Sequence, residues 1–432
     1  MTQIESAVQG IITVEMEQVA KDENVSPEFI RAGVAAGTIV IPCNINRTNR
    51  KPTGIGAGLR TKVSASVGLY GSTCDPNTEL AKIKAAVHAK TDSIMDLSVS
   101  GDIDAMRKES LLATPTPVGT LPLYQAMAEA AAKYGSSLEM KEEELLEVIE
   151  RQAADGVDFL AMHCGLTREV MELAKSEGRV DPLVSYGGSH LIGWMVHTGK
   201  ENPLYTYYDR ILEICRKYDV TISLADGMRP GAIADSLDWP QVKEMSILGD
   251  LVRRARKAGV QIMVKGPGHV PVDQIKSTIN LQKTLCQGAP YFVFGPLVTD
   301  ITPGYDHYNA AIGGALSAWS GADFICYVTA SEHLGLPDVE EVHEGVIIAR
   351  IAAHAGDVAK GVPGADQWDL AMSKARKLLD WKKQFALAVD PERAEKIWKE
   401  RSGDFSSECT MCGKYCAMKV VSEFLHTAKV SC

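Results

Sequence analysis

The strongest constraint on the fold is a rhythm between residues 90 and 335, where short β-branched runs alternate with longer amphipathic stretches. The runs fall at 92–97, 117–121, 157–162, 183–185, 220–225, 260–264, 291–294 and 324–328. Helix-like segments such as 138–154, 207–218, 241–257 and 272–285 lie between most of them. A helix that returns the chain to start each strand in the same direction makes a parallel sheet. Eight such units in roughly 250 residues predict a closed (β/α)8 TIM-type barrel. An open doubly wound sheet is the alternative. No G-x-G-x-x-G motif follows the first strand, which counts against it.

The barrel is expected over residues 71–337. Residues 1–70 read as a small N-terminal domain, helical over 5–35, with Ser26-Pro27-Glu28 as a helix start. Residues 339–359, 367–388 and 391–401 read as three helices, a small bundle spanning 338–401. A tail at 402–432 follows. Its linker, Ser402-Gly403-Asp404, suggests a mobile segment that swings to dock over the barrel mouth.

That tail holds three cysteines within eight residues, Cys409, Cys412 and Cys416, spaced C-x2-C-x3-C. Three thiolates on a [4Fe–4S] cluster would leave one iron open to a non-protein ligand. Zinc is the competing occupant, but a closed zinc site wants four ligands, and His426 is ten residues away. Three unrelated cysteines is the third reading. Cys43, Cys74, Cys164, Cys215, Cys286, Cys326 and Cys432 are scattered, several in apolar runs. They do not resemble a secreted disulfide framework. The net charge of −10 and the lack of a basic tract argue against nucleic-acid binding. No charged-then-apolar leader and no apolar run near 18 residues is present, so a soluble cytoplasmic protein is expected.

In such barrels chemistry collects where strands run into the following loops. Polar, Gly-flanked groups fall there after every expected strand. They are Met95 to Ser98, Tyr124 and Gln125, His163, Ser185 to Ser189, Asp226 to Arg229, Lys265 to His269, Asp300 to His307, and Ser331 to His333. Ser185-Tyr186-Gly187-Gly188-Ser189 offers backbone N–H groups and hydroxyls for an anion, or is an ordinary glycine turn. Asp226 and Arg229 suit a sugar phosphate, or pair with each other in a turn. His269 and His333 would converge at the mouth and suit Zn²⁺ or Fe²⁺, although a lone histidine is usually structural. His163 is an acid–base candidate or a hydrogen-bonded core histidine. On these grounds a metal-dependent barrel hydrolase or lyase rivals a radical enzyme, and a scaffold role is poorly supported.

Several longer motifs narrow the choice. Met95-Asp-Leu-Ser98, Asp226-Gly-Met-Arg-Pro-Gly231, Gly266-Pro-Gly-His-Val-Pro271, Gly295-Pro-Leu-Val-Thr-Asp300, Pro303-Gly-Tyr-Asp-His307 and Glu332-His-Leu-Gly-Leu-Pro337 resemble the phosphomethylpyrimidine synthase family of thiamine biosynthesis. So does the Cys triplet followed by Ala417-Met418-Lys419, and the likeness runs from about residue 1 to 420. The resemblance implies a non-canonical radical S-adenosylmethionine enzyme, usually a homodimer, fed by a ferredoxin- or flavodoxin-type electron donor. It implies that Cys409, Cys412 and Cys416 hold a [4Fe–4S] cluster that binds S-adenosylmethionine. It implies a 5′-deoxyadenosyl radical acting on 5-aminoimidazole ribonucleotide, and a second divalent metal, Zn or Fe, on His269 and His333. Ser66, Met95, Tyr124, His163, Ser185 to Gly188, Asp226, Gly227, Met228, Arg229, Lys265 and Phe292 would line the substrate site.

Four motifs depart from the thiamine pattern, each at a residue of that site. Asn-Ala-Asn-Ile-Gly is here Ser64-Ala65-Ser66-Val67-Gly68, and Ser-Arg-Gly-Gly is Ser185-Tyr186-Gly187-Gly188. Glu-Gly-Pro-Gly-His is Lys265-Gly-Pro-Gly-His269, and Phe-Tyr is Tyr291-Phe292. Arg to Tyr removes a fork of donors, and Glu to Lys reverses a charge. The radical machinery is kept while the groups that steer the intermediate differ. The departures resemble a paralogous branch of the family that acts on the same ribonucleotide, and that resemblance implies 5-hydroxybenzimidazole, a lower-ligand precursor for anaerobic cobamide (vitamin B12) synthesis, as the product. The thiamine pyrimidine is the alternative. His163, Lys265 and Tyr186 are the candidates for moving protons.

Overall fold

The computed structural model describes residues 1–71, 75–401 and 409–424. The chain forms two compact units, Met1–Lys360 and Gly361–Cys432. Cys74, the linker at 402–404, His426 and Cys432 lie outside the described residues.

In the first unit, β1 (Ile39–Val40) and β2 (Ile55–Gly56) form a small antiparallel ladder. Eight parallel strands then close a barrel: β3 (Lys62–Val67), β4 (Ser93–Asp96), β5 (Val118–Thr120), β6 (Phe159–Met162), β7 (Thr221–Leu224), β8 (Ile262–Lys265), β9 (Tyr291–Val293) and β10 (Phe324–Cys326). They follow chain order around the ring, and β10 pairs back onto β3.

Two expectations change at this level. Residues 62–67, which the sequence reading leaves outside the barrel, are its first strand. Residues 183–185 are not a strand. Ser185 is instead the N-cap of helix Tyr186–Thr198, its Oγ accepting the Gly188 N–H at 3.2 Å. A three-residue apolar run is as compatible with a helix lead-in as with a strand.

Strand register explains why β3 looks unlike its neighbours. One face carries Lys62, Ser64 and Ser66, paired in rows with Phe324 and Cys326 on one side and with Ser93 and Met95 on the other. The rows continue through Gly119, Phe159, Thr221, Ser223 and Met263, and Lys265 pairs with Phe292. This is the lumen face, which mixes serines and lysines with the rings of Phe159, Phe292 and Phe324. Ser93 Oγ donates to Ser64 Oγ at 2.8 Å. A Cβ on Gly119 would lie 2.1 Å from the Phe159 ring, so glycine there makes room for that ring. The opposite face, with Val63, Ile94, Leu160, Ile222 and Ile325, is apolar, fully buried and turned to the helices.

Three N-terminal helices, Gln3–Val8, Val14–Glu23 and Pro27–Ala36, start at Thr2, Thr13 and Ser26 side-chain caps. They bury a cluster that includes Met16, Ile30, Val34 and Ile41. Helix Val339–Lys360 packs against helices Asp306–Ser320 and Pro76–His88, which makes it part of the barrel's outer ring. Gly356 permits that closeness, because a Cβ there would lie 2.3 Å from Ala318 Cβ.

The second unit contains helices Ala365–Lys377, Trp381–Leu387 and Pro391–Arg401. Trp381, Phe385 and Trp398 gather with ring centroids 5.6 to 6.2 Å apart. Among the described residues no helix is long and apolar enough to cross a membrane.

Candidate active site at the barrel mouth

His163 follows β6 directly. Its backbone is pinned, because Asn202 Nδ2 donates to the carbonyls of both His163 and Leu166, at 2.8 and 2.9 Å. Its Nε2 lies 2.8 Å from Ser185 Oγ, whichever of the two carries the proton. Its Nδ1 is buried and has no hydrogen-bond partner. Burial, with the nearby charges of Arg229 and Lys265, pulls the imidazole pKa down to about 3, so the ring is neutral at pH 7. The helix that Ser185 caps brings Gly187 against this ring. A Cβ on Gly187 would lie 2.6 Å from His163 Cε1 and 3.1 Å from Tyr124 Cε1. Tyr124 meets Tyr186 edge to face at 5.1 Å, and Tyr186 is 45% exposed.

The turn after β7 sets Asp226, Gly227, Met228 and Arg229. Asp226 is buried, and its Oδ1 makes no hydrogen bond. Burial pushes its carboxyl well above the usual range, against the pull of Arg229 and Lys265. The Arg229 guanidinium stands over the Phe294 ring at 5.1 Å.

Lys265 ends β8 and points into the lumen. It is 6% exposed, with its Nζ 3.7 Å from Met95 Sδ and over the Phe292 ring at 4.8 Å. Burial lowers its pKa, because the ammonium is stripped of water. Phe292 stacks on Phe324 at 3.9 Å. Ser66 Oγ lies 3.7 Å from Cys326 Sγ, and Tyr327 donates its hydroxyl to the Ser66 carbonyl at 2.7 Å. Beside them a cavity of about 240 Å³ is lined by Ser66, Gly68, Tyr70, Cys326, Thr329 and Glu332.

His269 and His333 do come together, with ring centroids 5.5 Å apart. Each has its Nδ1 against a carboxylate: Asp300 Oδ1 at 2.7 Å for His269, and Asp306 Oδ2 at 2.9 Å for His333. That pairing fixes the tautomer and leaves both Nε2 atoms as donors to a metal. Asp300 is held by the Ile233 N–H, and Asp306 by the Thr302 hydroxyl. Among the described residues no three His, Cys, Asp or Glu side chains stand close enough to enclose a metal. The donor set found here is the histidine pair alone, each ring oriented by its carboxylate.

In the second unit Cys409, Cys412 and Cys416 occupy one tight turn. The Gly413 N–H bonds to the Cys409 carbonyl, and the Cys416 N–H to the Gly413 carbonyl, both at 3.1 Å. Cys412 is exposed and Cys416 buried. Their thiol chemistry suits an iron–sulfur cluster, but their side chains are not drawn together as a ready group.

Sequence reasoning missed Cys326 and Asn202 as parts of these arrangements, and it placed Asp300 and Asp306 at a strand end without giving them a role. The parity of β10, which puts Cys326 on the same face as Phe324, was the available signal for the first.

Comparison with known proteins agrees with this geometry. Residues 2–423 match the radical SAM ThiC family. A 5-hydroxybenzimidazole synthase BzaA of Moorella thermoacetica is 67% identical over 432 residues, all of both chains. A second protein of that name, from Eubacterium limosum, is 60% identical over 425 residues, 98% of this chain and 99% of that one. A phosphomethylpyrimidine synthase of Desulforamulus reducens is 55% identical over 432 residues, again all of both chains.

Proposed function

This chain belongs to the radical SAM ThiC family, and from that membership we infer that it makes 5-hydroxybenzimidazole from aminoimidazole ribonucleotide. The observation that carries the choice of product is the full-length identity of 67% with a 5-hydroxybenzimidazole synthase, against 55% with a phosphomethylpyrimidine synthase. Membership implies S-adenosylmethionine and an iron–sulfur cluster. We assign a [4Fe–4S] cluster to Cys409, Cys412 and Cys416, and a divalent metal, Zn or Fe, to His269 and His333. A cluster held by Cys409, Cys412 and Cys416 would supply one-electron reduction of S-adenosylmethionine. The divalent metal would supply Lewis acidity at the barrel mouth.

The remaining roles belong to this chain's side chains. Ser185, Gly187 and Gly188, at a helix start, suit the substrate phosphate. Asp226, its carboxyl pushed upward by burial, and Arg229 can bind the sugar hydroxyls and balance a phosphate charge. Neutral His163, with a free Nδ1, can hold or pass a proton at that atom. Lys265, in an apolar cage that favours its neutral amine, can accept a proton at Nζ. Ser66, Met95, Tyr124, Tyr186, Gly227, Met228 and Phe292 shape the pocket. The protein is read as a cytoplasmic homodimer that takes electrons from a ferredoxin- or flavodoxin-type donor.

The test is anaerobic incubation of the reconstituted protein with aminoimidazole ribonucleotide, S-adenosylmethionine and a reductant, followed by mass spectrometry. 5-Hydroxybenzimidazole and deoxyadenosine are expected. A hydroxymethylpyrimidine phosphate product would refute the choice of product. Retained activity after Cys409→Ala, Cys412→Ala or Cys416→Ala would refute the cluster assignment.

A further inference from the structure

Glu244 lies on helix Trp239–Lys257, outside the barrel wall, and is 1% exposed. Its two carboxylate oxygens take two consecutive backbone N–H groups, Gly227 to Oε1 at 2.9 Å and Met228 to Oε2 at 2.7 Å. Those residues separate Asp226 from Arg229. The loop is held from its other side as well, where Arg179 Nη2 donates to the Met228 carbonyl at 2.7 Å and pairs with Asp238.

The fit around Glu244 is tight. A Cβ on Gly227 would lie 3.2 Å from Glu244 Oε1 and 2.9 Å from Leu166 Cδ2. A Cβ on Gly165 would lie 3.1 Å from Glu244 Cγ. The loop after β7 thus hangs on this side chain, and the loop after β6 passes close to it and to Leu248. A buried carboxylate is expensive unless its oxygens are satisfied, and here two amides satisfy it. Nothing in that arrangement serves packing alone, because an apolar side chain of the same size would leave two buried N–H groups without partners.

We propose that Glu244 is a positioning residue, which aims Asp226 and Arg229 at the substrate's ribose phosphate by holding the two N–H groups between them. This deepens the functional reading above and rests on it for the identity of the ligand. Glu244 touches no reacting atom. Its effect reaches the substrate through Asp226 and Arg229.

The experiment has two arms, one of which needs no substrate. In the first, hydrogen exchange is followed in peptides spanning 225–230, in the full-length protein and in Glu244→Gln. An amide side chain can accept only one of the two N–H groups, so exchange there is expected to quicken by about tenfold or more, with distant peptides unchanged. In the second, calorimetry measures aminoimidazole ribonucleotide binding without reductant. Glu244→Gln is expected to weaken binding by about tenfold at unchanged iron content. In an Asp226→Asn background the same substitution is expected to add less than the full loss of about tenfold, because one of the two groups it aims is already altered. Unchanged exchange at 225–230, unchanged binding, or a full additive loss in the Asp226→Asn background would each overturn the proposal. If the wild-type protein fails to bind the nucleotide, the substrate reading falls and the exchange arm still decides Glu244. If Glu244→Gln does not fold, Arg179→Gln releases the same loop from its carbonyl side. It is expected to show the same faster exchange and weaker binding, and wild-type values for it would overturn the proposal.

Discussion

Lys265 spans the barrel: its Nζ lies 3.7 Å from Met95 Sδ, on the strand four places around the eight-strand ring. The rings of Phe292 and Phe294 stand 4.8 and 5.6 Å from it, and Asp226 and Glu332 are near enough for their charges to favour the ammonium. No carboxylate among the described residues hydrogen-bonds to it. A buried ammonium with no hydrogen-bonded carboxylate is a stability liability, and its loss of water outweighs those charges, so its pKa falls. Such an arrangement is retained when the amine has chemical work.

Lys265→Met should therefore separate stability from activity. Met has a similar length and suits the rings, so the variant is expected to be more stable, by about 1–3 kcal/mol. Formation of 5-hydroxybenzimidazole is expected to fall by about a hundredfold or more, the usual loss of a general acid or base. Thermal melting and product yield check both halves. A lower melting temperature would mean that Lys265 has a partner in the folded state that offsets its burial.

His163 offers a pH test. Its folded pKa is about 3 against an ordinary 6.5, so below pH 6.5 the unfolded chain takes up a proton that the folded protein refuses. Stability from this group is thus fully present above pH 6.5 and is lost as pH falls toward 3. Relative to His163→Gln, the wild type should lose stability at about 1.4 kcal/mol per pH unit across that window. Urea titrations of both proteins at several pH values measure the gap. A gap that stays constant from pH 7 to 4.5 would show that the imidazole does charge in the folded protein.

The barrel was legible because most of its strands turn β-branched residues toward the helices, and those runs stand out. β3 was not, because Lys62, Ser64 and Ser66 break the apolar pattern with residues that face the lumen. The error at 183–185 offset it, so the strand number came out right for a partly wrong reason. The mouth was legible wherever a site residue sits within a few positions of a strand end, as His163, Asp226 and Lys265 do. Glu244 acts on a loop from about five helical turns' worth of chain away, and Asn202 supports His163 from another element entirely. Such anchors leave no local trace, since their partners are backbone atoms of distant residues.

The histidine pair makes a prediction about metal. Asp300→Asn keeps the shape of the carboxylate but removes its charge from His269 Nδ1. Loss of such an outer partner weakens metal binding by about 10- to 100-fold. His269→Ala should remove a ligand outright and lower the bound metal further. Zinc and iron content after dialysis against a chelator of graded strength measures this. Equal metal retention by all three proteins would place the divalent ion elsewhere.

Gly187 tests whether the contact between the helix start and His163 matters. Inside a helix, Gly to Ala is ordinarily favourable by about 0.5–1 kcal/mol. Here the added Cβ would lie 2.6 Å from His163 Cε1 and 3.0 Å from its Nδ1. The ring has little freedom to yield, because Ser185 holds its Nε2 and Asn202 holds its backbone. Gly187→Ala should therefore gain nothing in stability, displace the imidazole from Ser185, and lower turnover by about tenfold or more, as misplaced catalytic groups do. Gly193→Ala on the same helix is the control. Its Cβ would meet only Leu138 Cδ2, at 3.3 Å, the end of a flexible side chain. That variant should keep wild-type turnover and melt slightly higher. If both variants behave alike, the close approach of Gly187 to His163 has no part in catalysis, and the phosphate-binding role of the helix start would have to stand on Ser185 and Gly188 alone.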